Sequence, residues 1–151
     1  MNEVDYVAEN ERTLQRMRRL VDGLGEADLQ RAVNDSWTVS GVLGHIAFWD
    51  GRALALTRKL EAGVPFSPAD DEPDDIDWVN DASRAFVHAV PPSIAARAAL
   101  EVAEETDRRI AGLTPDLAAR SWPLSEDSPL NLLRADHRGE HLDEIEAALS
   151  R

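Results

Sequence analysis

Near its end the chain reads "HRGEHLDEI", with His137 and His141 four residues apart. On a helix that spacing puts both imidazoles on one face, where they can grip one metal ion. A third histidine, His45, sits far upstream in "SWTVSGVLGHIAFWD", among Val42, Leu43, Ile46, Phe48 and Trp49. A polar ring on an apolar face needs a partner. If the two segments are facing helices of one bundle, the three rings can meet on a divalent transition metal. Three neutral imidazoles leave the ion its full charge and at least one open position. Such an ion lowers the pKa of bound water toward about 7, or holds a small-molecule thiol as thiolate. Imidazole suits zinc, nickel, copper and iron alike; zinc or nickel is the leading expectation. The competing reading stays open: His45 as a hydrogen-bonded core residue, and the pair as a chance spacing on a surface helix.

"HRGEH" also fits H-x-x-E-H, the inverted zinc-protease pattern, in which Glu140 is the general base. A peptidase needs a substrate cleft that 151 residues hardly provide. Proteolysis is therefore not expected, but Glu140 remains a candidate proton carrier. Glu144 lies seven residues after His137, near the same face. It can move a proton or orient a ligand histidine. The fourth histidine, His88, is expected to be structural or solvated, a partly cationic ring near the C-terminal end of a short helix.

The bulk composition limits what such a site can serve. The net charge is −13, with no basic stripe, so nucleic acid and anionic membranes are not expected partners. There is no cysteine, hence no disulfide, no thiolate ligand and no thiol nucleophile in the chain. The opening "MNEVDYVAEN" is acidic and carries no apolar signal segment, and no run approaches the roughly 20 apolar residues of a membrane helix. A cytoplasmic protein acting on a small molecule is the expectation.

The elements that must position the histidines read as helices. A first runs from about Glu3 to Val21 on a stripe of Val4, Val7, Leu14, Met17 and Val21. Asn10 and Glu11 interrupt that stripe and read as a solvated turn. A second, capped by Thr38 with Trp37 stapled onto Val42, continues to Gly63. "VPFSPADDEPDD" is a loop. "DIDWVNDASRAFVHAV" is a shorter helix, ended by "PPS". A third long helix covers about Ser93 to Leu113, with Ile94, Ala98, Val102, Ile110 and Leu113 on one face. The fourth covers about Pro129 to Leu149, with Leu130, Leu133, His137, His141, Ile145 and Ala148 in line. Core packing is the expected role of Trp49, Trp78 and Trp122. A faint echo links "GLGEADLQR", after the first helix, to "GLTPDLAAR", after the third. Four amphipathic helices without an alternating strand make one all-α, four-helix-bundle domain over residues 1–151, with an extra short helix before the third.

Trp37, Thr38 and His45, followed some ninety residues later by His137 and His141, resemble the pattern of the DinB-like superfamily. That grouping takes in the YfiT-like metal-dependent hydrolases and relatives of the mycothiol-dependent maleylpyruvate isomerases. "DIDWVND" resembles the Asp-rich, Asn-bearing connection of some members. The resemblance covers essentially the whole chain. It implies an up-down-down-up bundle able to form a homodimer, with a divalent metal on the three histidines. It further implies a transferase or isomerase that joins a low-molecular-weight thiol (mycothiol, bacillithiol or glutathione) to a small electrophile. The alternatives are a metal-dependent hydrolase and a non-catalytic binding protein.

Overall fold

The computed structural model describes residues 4–151. Among them are seven α-helices, one 3-10 turn at Pro68–Asp70, two isolated β-bridges and no strand. The helices are α1 (Tyr6–Asp22), α2 (Glu26–Leu29), α3 (Val39–Glu61), α4 (Asp77–Ala89), α5 (Pro92–Ala111), α6 (Pro115–Ala118) and α7 (Ala135–Leu149). Four are long. Cross-contacts give their directions. Asn10 meets Arg134 while Arg16 meets Asp143, so α1 and α7 run parallel. His45 meets His137 while Asp50 meets Arg134, so α3 and α7 are antiparallel. Thr106 meets Asp50 and Arg109 meets Glu61, so α3 and α5 run together. The bundle is up-down-down-up, with α4 added between the middle two.

Capping follows the sequence signals. Thr38 accepts from the backbone N–H of Gly41 at 3.0 Å and starts α3. Asp5 does the same for α1 through Ala8; the expected start at Glu3 lies outside the described residues. The two echoed segments are both realised as one-turn helices, α2 and α6, each leading toward a histidine-bearing helix. The bundle is thus two units of long helix, short helix, long helix.

Several expectations are corrected. The last helix starts at Ala135, not Pro129. Residues before it are held instead by backbone bonds between Trp122 and both Leu130 and Leu132, which bury those leucines in an extended segment. On α5 the buried line is Ala95, Ala96, Ala99, Ala103, Thr106 and Ile110, while Ile94 is exposed. Small side chains let α5 lie close against α3, and that close approach outranks the bulkier residues in setting the inner face. Val4 and Val7 are exposed, as are Trp78 and Trp122; only Trp49 of the three tryptophans is in the core. Asn10 is not a solvated turn residue. It is 1% exposed and stands on the core line of α1 with Leu14 and Met17.

The core consists of two apolar clusters with a polar layer between them. One cluster gathers Leu14 and Met17 of α1, Val39 to Ile46 of α3, Ala96 to Ala103 of α5 and Leu142 to Ala148 of α7. The other gathers Ala53, Leu56 and Leu60, Ile110, Ala118, Leu130 and Leu132. Between them lie Asn10, Asp50, Thr106, Asp107, Arg134 and Arg138. The Asp50 carboxylate accepts from Arg134 Nε at 2.9 Å and from Arg138 Nε at 2.8 Å. Arg138 also donates two bonds to Asp107, at 2.7 and 2.9 Å. Burial opposes the Arg138 charge, but Asp50 and Asp107 outweigh it and hold the pKa above its ordinary value. Asn10 donates to Leu132 O at 2.8 Å and accepts from the N–H groups of Arg134 and Ala135, at 2.8 and 3.0 Å. It therefore supplies the N-terminal cap that α7 lacks from its own sequence.

That cap is testable. Asn10→Ala leaves one carbonyl and two N–H groups buried without partners, at roughly 1–3 kcal/mol each when unrelieved. Urea unfolding should show a loss of about 3 kcal/mol. A change within experimental error would mean that water replaces the amide at no cost.

Candidate metal centre

His45 lies in the second turn of α3 and is 8% exposed. Its ring is held by aromatic neighbours, edge-on to Trp37 at 5.5 Å and to Trp49 at 6.5 Å between centroids. The Trp49 indole in turn donates to the Asn80 side-chain oxygen at 3.0 Å, which ties α4 to this wall. His137 and His141 come from successive turns of α7. The Nε2 of His137 is 3.3 Å from that of His45 and 3.1 Å from that of His141. One ligand atom from each of the three lies within 4.8 Å of the others.

These separations suit an ion. Nitrogens at ~2.0–2.1 Å from zinc stand roughly 3.3–3.4 Å apart in a tetrahedral array and roughly 2.9 Å apart at right angles. The Nδ1 atoms of His45 and His137 are buried with no hydrogen-bond partner among the described residues. With the proton on Nδ1, each of these two rings turns its Nε2 lone pair toward the cluster, the form that coordination needs. His141 has the anchor that metal-ligating histidines usually show: its Nδ1 is 3.2 Å from Glu144 Oε2. The three side chains fit a divalent metal.

The electrostatics keep the lone pairs available. Burial, reinforced by His141, lowers the His45 pKa to about 4. Burial lowers His137 to about 2, with further contributions from His141, Arg134, His45 and Arg138. Both rings are neutral at neutral pH, as ligation requires. The buried arginines of the polar layer thus help to keep the adjacent ligand unprotonated.

The cluster is reached from two sides. A cavity of about 390 Å³ is lined by Asn34, Trp37, Asp77, Asp81 and Glu144, and a second of about 340 Å³ by Trp49, Arg52, Arg134, Asn131 and Glu140. His45, His141 and Asn80 belong to both. Glu140 is exposed and faces the second cavity; it makes no hydrogen bond to a histidine among the described residues.

His88 stands apart from the cluster and is structural. Its Nδ1 pairs with Arg84 O at 2.8 Å and its Nε2 with the backbone N of Thr38 at 3.2 Å. Accepting from that N–H uses the Nε2 lone pair, which leaves Nδ1 to donate to the Arg84 carbonyl. Gly41 makes the approach possible, since a Cβ there would sit 2.3 Å from His88 Nε2.

Asn10, Asp50, Asn80, Arg134 and Arg138 were not expected at the site or beneath it. A signal existed for two of them. Asp50 follows Ile46 by four residues, and Arg138 precedes Leu142 by four, so opposite charges occupy core positions of two helices.

A profile of the DinB superfamily matches residues 9–144. The chain belongs to the DinB superfamily. The matched span runs from α1 into α7 and includes His45, His137, His141, Glu140 and Glu144. No curated protein and no solved structure matches the chain. No helix of this DinB bundle is long and apolar enough, among the described residues, to cross a membrane.

Two outcomes follow from the cluster. Elemental analysis of tag-free protein should give about one transition metal per chain, lost in His141→Ala. Absence of metal from wild type after reconstitution with zinc and nickel would remove the site. In the metal-free chain, the lowered histidine pKa values mean that the unfolded state binds more protons than the folded one. Their stabilisation is complete above the ordinary value of 6.5 and is lost as pH falls from there toward about 4 for His45. Denaturation midpoints measured in chelator should therefore drop over that window, and drop less in His45→Asn. Equal slopes would contradict the burial of a neutral His45.

Proposed function

We propose that the chain is a divalent-metal-dependent enzyme that transfers a low-molecular-weight thiol to a small electrophile. The observation that carries this is the position of the three imidazoles: all three line one open cavity, and His45 and His141 line a second as well. One cavity would suffice for hydrolysis, with water as the second reactant. Two, each larger than a few waters, fit a reaction between two organic partners. The chain holds no cysteine, so any sulfur must arrive as a cosubstrate.

His45, His137 and His141 would hold the metal. When bound there, a divalent ion lowers the pKa of a thiol at its open position. The Glu144 carboxylate fixes the His141 ring by accepting at Nδ1. The Glu140 carboxylate, in the wall of the second cavity, would take the S–H proton. The sulfur then forms the new bond to the electrophilic carbon. The displaced electron pair goes to the leaving group or the adjacent heteroatom, and Glu140 returns the proton there. No oxidant or reductant is required. Trp37 and Trp49, the latter held by Asn80, pack against His45 and keep that ring from turning away.

The test is conjugation of a model aryl halide by zinc- or nickel-loaded protein with glutathione, mycothiol or bacillithiol in turn. The rate should exceed that of thiol alone, and Glu140→Gln should lower kcat by about a hundredfold. Hydrolysis of a small ester panel without thiol would replace this reading with the hydrolase. Ligand-induced stabilisation with no product in either assay would leave a binding protein.

A further inference from the structure

The second cavity carries two cations that the thiol chemistry does not use. Arg52 is on α3, seven residues after His45, and Arg134 is just before α7, three residues before His137. Both line the cavity that the histidines share. Along the helices they lie roughly 10 Å and 4–5 Å from the ligand residues, on the same side of the cluster because α3 and α7 are antiparallel.

Their partners orient them without saturating them. The Arg52 guanidinium lies 5.9 Å from the Trp49 ring centroid, donates to Asp70 O at 2.6 Å and to Pro129 O at 3.3 Å. Those acceptors are neutral carbonyls. Among the described residues its one carboxylate neighbour within ion-pair distance, Glu72, is 3.7 Å away with a half-exposed side chain. Arg134 uses Nε on Asp50, and its two terminal nitrogens have no hydrogen-bond partner among the described residues. Asp50 is itself shared with Arg138. Two guanidinium groups therefore face one cavity with donors to spare. Burial lowers the Arg52 pKa; Glu72, Asp70 and Asp71 oppose that effect and the neighbouring Arg134 adds to it. An anion between them would relieve both the repulsion and the unused donors.

We propose that Arg52 and Arg134 bind the carboxylate of the electrophile, so that the second substrate is a short-chain acid. This rests on the thiol-transfer reading of the trihistidine site. The acids on the same wall, Glu72 and Glu140, favour a monoanion over a phosphate dianion. The separation from the histidines places the carboxylate away from the reacting carbon, on a short chain.

Two arms test this, and only one needs metal. In metal-free protein, butyrate should shift the NMR resonances of the Trp49 indole N–H and the Arg52 and Arg134 Nε–H groups, and butyramide should not. In cobalt-loaded protein, 3-mercaptopropionate should perturb the metal absorption at about tenfold lower concentration than 3-mercaptopropionamide. Arg52→Gln should abolish that preference, and Arg52→Lys should retain part of it. Equal response to acid and amide in wild type, or a preference unchanged in Arg52→Gln, overturns the proposal. A butyrate response with no thiol effect on the cobalt spectrum keeps the acid site and removes the thiol reading. Equal perturbation by both thiols does the reverse.

Discussion

The paired charge of Asp50 and Arg138 is the constraint around which the bundle is organised. Arg138 is completely buried, and both of its carboxylate partners are at most 11% exposed. Neither sign could remain there alone, since an uncompensated buried charge costs several kcal/mol. The pair therefore sets the height of α7 against α3, and through Asp107 against α5. Apolar residues above and below tolerate sliding by a turn; a buried arginine bonded to Asp50 and, through two parallel bonds, to Asp107 does not. Once Arg138 is pointed at Asp50, the neighbouring His137 turns toward His45, and His141 follows one turn later.

That coupling also sets the chemistry of the histidines. Burial alone disfavours imidazolium, and the arginines next to His137 disfavour it further. The polar layer thus acts twice, as a register for the helices and as a source of positive potential beside the ligands. Outside the layer the protein is strongly acidic, at −13 overall. On one side of the histidines Arg52 and Arg134 stand with Glu72 and Glu140, while Asp77, Asp81 and Glu144 face the other.

The added helix α4 closes the arrangement. Gly41 and Gly44 on α3 leave room for His88 and Val87, which a Cβ at either position would strike at 2.3 or 2.5 Å. This close approach brings Asn80 onto Trp49 and His88 onto the first turn of α3. The start of α3, and hence the position of His45, is fixed by Thr38 from within and by His88 from outside.

The sequence alone determined the four long helices, the caps and breaks around α3, the all-α bundle and the placing of His137 and His141 on one helix face. Each of these depends on local rules: a 3.6-residue period, a capping side chain, a glycine or proline stop, an i,i+4 spacing on one face. The echo between the loops after α1 and α5 was legible for the same reason, because each encodes one turn of helix. Tertiary structure decided which polar residues turn inward. Asn10 looks like a break in a stripe until the unwound segment before α7 presents a carbonyl and two N–H groups to it. Asp50 and Arg138 look like surface charges until they face each other across the bundle. Pro129, Leu130 and Leu133 have a helix's spacing, but backbone pairing with Trp122 holds the segment around Leu130 extended. The inner face of α5 is its alanines because α3 lies close by, and no periodicity reports that distance. Burial of polar groups depends on a partner from elsewhere in the chain, so it is written in contacts rather than in any one segment.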